Sequence, residues 1–246
     1  MTTQTDAASH PTTSVAGEPI RVAVSTVIFA LRPNPVGTPG APRTSLAIPL
    51  VKRTRDPHEG LLALPGGWLA ADEELPDAAA RTLAETTGLA PTYLEQLHAF
   101  GAIDRSPTRV ISIIYWALLR ADEAAVAAEV ENVTWCDAAQ LPPLAFDHHA
   151  IIDYALWRLR NKVGYSRIAH GLVADEFTVA ELRDAYEAVL GRRLDPANFR
   201  RQVEASAALV PTDRYRTGSH RPARIYRTKP DVELADRGPL TETRTP

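Results

Sequence analysis

A chain of 246 residues, 45% hydrophobic and 23% charged, is long for one domain, comfortable for two, and ordinary in composition for a water-soluble globular protein. The longest apolar runs, Val22–Leu31 and Val110–Leu119, fall well short of the ~20 residues that cross a bilayer. The first 19 residues lack the basic start and apolar stretch of a secretory signal, and the single Cys136 leaves no disulfide framework, so the expected location is the cytoplasm. The net charge of −3 hides an asymmetry. Residues 1–162 carry 13 Lys and Arg against 18 Asp and Glu, residues 163–230 carry 12 against 8, and Arg192–Lys229 alone carries 10 against 3. An acidic first part joined to a basic second part is expected when only the second meets a polyanion.

In chain order, residues 1–19 are rich in Thr, Ser, Ala and Pro without periodicity and are expected to be a disordered tail, as are residues 231–246. Ile20–Leu31 concentrates Val, Ile and Phe and predicts a strand. Pro33–Pro42, with four prolines and two glycines, predicts a long hairpin loop, and Ser45–Lys52 the returning strand, where Pro49 suggests an edge or a bulge. Lys52, Arg53 and Arg55 follow it, either as phosphate contacts or as a solvated strand end.

Leu64–Leu89 then reads LPGGWLAADEELPDAAARTLAETTGL, a Gly-Gly turn, an acidic segment and a short Ala-rich helix. Gly67, Glu73, Arg81, Leu83, Glu85, Gly88 and Leu89 align with the pattern G, five residues, E, seven residues, R-E-U-x-E-E-x-G-U, where U is bulky and apolar. This resembles the signature box of Nudix hydrolases, in which a loop, helix and loop present carboxylates to divalent cations that neutralise a diphosphate and activate water. Thr82 and Thr86 stand where two of the helix glutamates belong. Positions 82, 85 and 86 share one helical face, which here reads Thr, Glu, Thr, so metal affinity and hydrolysis are expected to be strongly reduced. By the same resemblance Glu73 and Arg81 form a structural ion pair holding the loop on the helix. Their bland alternative is that Asp72, Glu73 and Glu74 simply favour a helix N-terminus through its dipole.

Tyr93–Ile103, Arg109–Arg120 and Asn132–Cys136 predict further strands, and Phe146–Asn161 an amphipathic helix capped by Asp147 with Ile151, Ile152, Tyr154, Ala155, Leu156 and Leu159 on its apolar side. Strands mixed with two helices in this order resemble the three-layer α/β/α Nudix sandwich. YLEQLHAFG, DRSPTR and AFDHHAIIDYALWRLRNKVGYS resemble a Nudix subgroup that recognises ADP-ribose and its relatives. That likeness makes Asp104, Arg105 and Arg109 candidates to face a nucleotide diphosphate or ribose, against the alternative of a charged hairpin turn. His148 and His149, about 100° apart on a helix, are poorly placed to chelate, and no metal site is expected.

From Tyr165 the pattern changes to three short helices and a hairpin. Tyr165–Val173 predicts the first helix. Thr178 caps the second, Val179–Leu190, which Gly191 ends; Asp195 caps and Pro196 opens the third, running to about Ala207. Leu209–Val210 and Ala223–Tyr226 supply a two-stranded hairpin. The order reads as a winged helix-turn-helix. On the third helix Phe199, Val203 and Ser206 or Ala207 face the second, while Asn198, Arg201 and Gln202, with Arg200 near the boundary, offer base-reading side chains. Arg192, Arg193, Arg214, Arg216, Arg221 and Arg224 are candidate phosphate contacts.

Together FTVAELRDAYEAVLGRRLDPANFRRQVEASAALVPT and RPARIYR resemble the C-terminal domain of Nudix-related regulators of NAD metabolism, the NrtR-type family, over residues 20–229. The resemblance implies an α/β architecture with a Nudix-like ligand-sensing domain over 20–162 and a winged helix-turn-helix over 163–230. It further implies a homodimeric repressor of NAD biosynthesis or salvage genes; the two-fold symmetry of such a dimer predicts a palindromic operator, and Thr82 and Thr86 predict a protein that is not an enzyme and requires no cofactor. ADP-ribose or a related metabolite is then the effector, with Arg53, Gly67, Glu73, Arg81, Glu85, Asp104, Arg105 and Arg109 at its site. An ADP-ribose hydrolase with residual metal-dependent activity is the enzymatic alternative.

Overall fold

The computed structural model describes residues 19–34, 43–91, 93–126, 132–217 and 222–230. The expected terminal tails, apart from residue 19, lie outside the described residues, as do most of the Pro33–Pro42 loop and Arg221.

Among the described residues, seven strands between Arg21 and Asp137 build one mixed sheet. Its centre is β1 (Arg21–Pro33), antiparallel to β2 (Thr44–Lys52) on one side and parallel to β6 (Val110–Leu119) on the other, with Arg21–Ala30 pairing Val110–Leu119 residue by residue. β5 (Tyr93–Phe100) closes one edge against β6; β3 (Leu62–Ala63) and β7 (Val133–Asp137) pair with β2, and β4 (Gly66–Trp68) with β1. Pro49 makes no bulge but sits where one side of β2 is locally an open edge, between the ends of its pairing with β1 and with β3. β2 lies between β1 and β7, and pairing with β1 ends at Ala47, so the imide nitrogen falls beyond that ladder.

The near-continuous apolar character of β1 follows from its position, buried on both faces. Val27, Phe29 and Leu31 point to the side where α3 (His148–Val163) lays down Ile151, Ile152, Ala155, Leu156 and Leu159. Ile28 and Ala30 point to the other, against Leu83 of α1 (Leu75–Thr87) and Ala124 of the short α2 (Ala121–Val126). Helices on both faces of a mixed sheet make the expected three layers. α2 has no counterpart among the expected elements.

Asp147 occupies the N-cap position of α3 without capping it, because its carboxylate is engaged elsewhere. The helix expected over Tyr165–Val173 is only a 3-10 turn, Ile168–Leu172. All five of its residues are buried, so packing on α3, β1 and β6 shapes it rather than a one-sided apolar stripe.

The last third comprises α4 (Val179–Leu190), α5 (Pro196–Ala205) and a three-stranded sheet in which β10 (Ala223–Thr228) lies between β8 (Phe177–Thr178) and β9 (Leu209–Arg216). Thr178 accepts from the Glu181 N–H while Glu181 returns a bond to the Thr178 N–H, a full capping box, and Gly191 ends α4 at φ 66°. Leu172, Phe177, Leu182, Ala185, Val189 and Phe199 join the same buried cluster as the α3 side of the large sheet, so the two parts share apolar contact. Among the described residues no helix is long and apolar enough to cross a membrane.

Candidate ligand cleft and nucleic-acid interface

Gly66 and Gly67 do not form the expected turn but lie in β4, antiparallel to β1, where the close approach of the two backbones leaves no room for a side chain on Gly66. A Cβ on Gly66 would stand 2.4 Å from the Val24 carbonyl oxygen, closer than real contacts allow. The following loop is fastened to α1 by Arg81. Its Nε and Nη2 donate to the two oxygens of Glu73 at 2.6 and 2.8 Å, and Nη2 also donates to the Trp68 carbonyl at 3.2 Å. The guanidinium holds the Glu73 carboxyl below the usual carboxylate range and is itself raised by the pairing. Such bidentate geometry is that of a charge-assisted clamp. Glu85, exposed one turn further on, accepts from Arg81 Nη1 at 3.1 Å.

Neither threonine hydroxyl is presented outward as a ligand. Thr82 is 2% exposed and donates to the Ala79 carbonyl at 3.3 Å; Thr86 donates to the Thr82 carbonyl at 2.6 Å. Both are turned back onto their own helix. Nudix chemistry uses divalent cations, and this donor set does not fit one: a single helix carboxylate, already shared with a guanidinium, flanked by two neutral hydroxyls. Among the described residues no three His, Cys, Asp or Glu side chains converge as a metal site.

A second group gathers where the β5–β6 turn meets the start of α3. Arg105, 6% exposed at its side chain, donates to both oxygens of Asp147 at 2.9 and 2.7 Å and to Ser112 Oγ at 2.7 Å. Arg109 donates to the Gly101 carbonyl at 2.8 Å and so closes its turn, while Asp104 is exposed at the tip. Arg53 donates to the carbonyls of Pro57 and Arg55 at 2.8 and 3.1 Å and lies over the Phe146 ring at 4.7 Å. These residues form a charged rim in which most groups already have intramolecular partners.

His148, outside every set of candidate site residues, connects the two groups. Its Nδ1 accepts from the Leu64 N–H at 3.0 Å, tying the link between β3 and β4 to α3. Burial drops its pKa to about 4, opposed by nearby Asp147 and reinforced by Arg105, Arg53 and His58. The accepting Nδ1 fixes the neutral tautomer protonated on Nε2. His149, by contrast, contacts the Pro142 carbonyl at 2.9 Å through Nε2.

In the basic part, Asp195 accepts from the Asn198 N–H at 2.8 Å and starts α5, and Phe199 packs edge-on against Tyr186 of α4 with ring centroids 5.3 Å apart. That contact turns Asn198, Arg200, Arg201 and Gln202 outward, all exposed. Arg201 donates to Asn198 Oδ1 at 2.8 Å, and Arg200 pairs with Glu204 at 2.9 Å. In the turn Arg192 is exposed, whereas Arg193 pairs at 3.0 Å with Glu187, a carboxylate 1% exposed that also accepts from the Leu194 N–H.

Arg214, Arg216 and Arg227 of the wing are committed to acids that sequence reasoning passed over. Arg214 and Arg227 each reach Glu176 at 2.6 Å, and together they hold its carboxyl below the usual range. Arg216 pairs with Glu181 at 3.3 Å and donates to the Glu176 carbonyl. Arg224 donates to the Thr212 carbonyl at 3.1 Å. The partners lie up to 51 positions apart, so local sequence carries no sign of them.

Fold and site together define a Nudix scaffold with a depleted cation site, joined to a helix-turn-helix and a basic wing. The NUDIX domain model matches residues 41–155 and the NrtR DNA-binding winged helix domain model residues 169–228. The chain is 35% identical over 189 residues to the ADPR responsive transcriptional repressor NtrR of Acinetobacter baylyi, covering 74% of this chain and 75% of that one. It is also similar to NrtR of Shewanella oneidensis in a complex with a 27mer DNA, at 34% identity and a TM-score of 0.73, covering 85% of this chain and 94% of that one. An ADP-ribose pyrophosphatase of Methanocaldococcus jannaschii is 36% identical over 111 residues, covering 44% of this chain and 66% of its own length. The chain belongs to the NrtR family.

Proposed function

We propose that this protein is a transcriptional repressor of NAD biosynthesis or salvage genes. Residues 163–230 bind a palindromic operator as a homodimer, and residues 20–162 sense ADP-ribose or a closely related nucleotide without efficient hydrolysis. One observation carries the reading: the box keeps its scaffold, the Glu73–Arg81 clamp and the Gly66 and Gly67 backbone packed on β1, while the face that should hold cations is Thr82, Glu85, Thr86. A pocket that binds a diphosphate and does not turn it over is a sensor. The outward face of α5 supplies side chains suited to guanine and adenine edges.

Arg53, Gly67, Glu73, Arg81, Glu85, Asp104, Arg105 and Arg109 are the proposed ligand rim, in which Glu73, Arg81 and Arg105 shape the cleft through the pairs described above. Effector binding releases DNA only if the DNA-incompetent state holds ADP-ribose more tightly than the competent one. The test is fluorescence anisotropy with a labelled palindromic operator, followed by ADP-ribose titration into the complex. Binding at low salt that falls steeply with salt, and release by ADP-ribose, is the expected result. No binding at low salt would reject the reading.

A second reading, residual ADP-ribose hydrolysis, is favoured by the similarity to a pyrophosphatase over 111 residues. Phosphatase-coupled phosphate release with Mg²⁺ or Mn²⁺ decides it. Substantial turnover lost in Glu85→Gln would show that a single helix carboxylate suffices.

A further inference from the structure

The segment joining the two domains carries adjacent acids that bind in opposite directions. Asp175 pairs with Arg120 at the end of β6, in the Nudix part, while Glu176 takes Arg214 from β9 and Arg227 from β10. Glu176 is 18% exposed at its side chain and the two arginines 70% and 61%, so a largely sequestered carboxylate holds two guanidinium groups whose other faces remain in water. The surroundings leave room for rearrangement. A cavity of about 550 Å³ is lined by Glu176, Glu181 and Arg216, and one of about 360 Å³ by Arg120, Asp175 and Arg227.

A carboxylate bound by two arginines offers them what a DNA phosphate offers: an anionic pair of oxygens at hydrogen-bonding distance. The guanidinium ends of both pairs are exposed, and ion pairs with a solvated partner contribute little to stability, so exchanging one anion for another costs the two arginines little. We propose that Glu176 is an internal competitor for the operator backbone, and that Arg214 and Arg227 form a phosphate-binding pair which leaves Glu176 when DNA docks. Arg227 is thereby added to the DNA-contacting residues. The inference rests on the DNA-binding reading above.

Its test is operator affinity as a function of salt for the full-length protein and for Glu176→Gln, Asp213→Asn and Arg227→Gln, with folding monitored by circular dichroism. Asp213, exposed on β9 beside Arg214, provides the same change of charge in the same wing. Glu176→Gln is expected to tighten binding at least threefold at low salt, beyond any gain from Asp213→Asn. Arg227→Gln is expected to weaken binding and to reduce the slope of log affinity against log salt by about 0.9, the value of one phosphate contact. Equal gains in Glu176→Gln and Asp213→Asn would reduce the effect to net charge, and weaker binding by folded Glu176→Gln would make Glu176 a support; either overturns the proposal. If Glu176→Gln does not fold, the Arg227→Gln slope decides alone, an unchanged slope overturning it. Failure of the unmodified protein to bind would instead reject the underlying DNA-binding reading.

Discussion

Thr82 lies directly beneath Gly67: a Cβ added at Gly67 would stand 2.9 Å from Thr82 Cγ2. The residue that replaces a cation ligand therefore supports the start of β4 as a small buried side chain. Thr82→Glu puts an unpaired carboxylate into this contact, and the expected loss is about 2 to 3 kcal/mol, in the range for a buried polar group lacking a partner. Urea denaturation in EDTA measures it. In Thr82→Glu with Thr86→Glu, Mg²⁺ is expected to restore much of the loss, because the added carboxylates then have a cation to bind.

Arg105 and Asp147 make the second prediction. The guanidinium is 6% exposed and its planar fork is satisfied by one carboxylate and Ser112 Oγ. Asp147→Ala leaves that charge nearly buried and half unpaired, and an expected cost of about 3 kcal/mol follows. A double-mutant cycle with Arg105→Met should recover part of it, since removing both charges also removes the orphan. Additive losses in thermal unfolding would mean the two side chains do not interact.

How much of this was legible in advance depended on how far apart the partners stand. The Thr178–Glu181 capping box, the Gly191 stop and the Asp195–Pro196 start were readable because each acts within one turn of helix. The Glu73–Arg81 clamp was readable only through the box spacing. Arg105 looked like a solvent-facing ligand contact because its partner is 42 positions away, and Arg214 looked free because Glu176 is 38 away. The 3-10 turn at Ile168–Leu172 was misread as a helix because its apolar residues face protein on every side, which erases the periodicity a surface helix shows. α2 and the two-residue β8 are too short to carry a pattern at all.

The two histidines buried among the described residues make stability depend on pH. Burial depresses both His148 and His170 to about 4, and His170 is further lowered by Arg167. In the unfolded chain each titrates near 6.5, so between pH 6.5 and 4 the unfolded state binds protons that the folded state refuses. The stabilising effect of this neutrality is complete above pH 6.5 and is lost as acid is added. At the lower end the loss amounts to about 3 kcal/mol per histidine. Chemical denaturation across this range is expected to show falling stability, and His148→Gln about half the histidine-dependent slope. A flat profile would mean that neither ring is protected from protonation.

On the DNA side, position and reading should separate cleanly. Arg201 is held by Asn198 on the exposed face of α5, whereas Arg192 lies in the turn before it. Arg201→Ala is expected to cost about 1 to 3 kcal/mol on the preferred operator and less on altered sequences, because a base contact is worth energy only against the right base. Arg192→Ala should weaken all sequences alike and lower the salt slope by about 1, the behaviour of a phosphate contact. Anisotropy on a set of singly substituted operators distinguishes the two. If Arg201→Ala weakens every sequence equally, α5 holds the backbone and the base reading lies elsewhere in the domain.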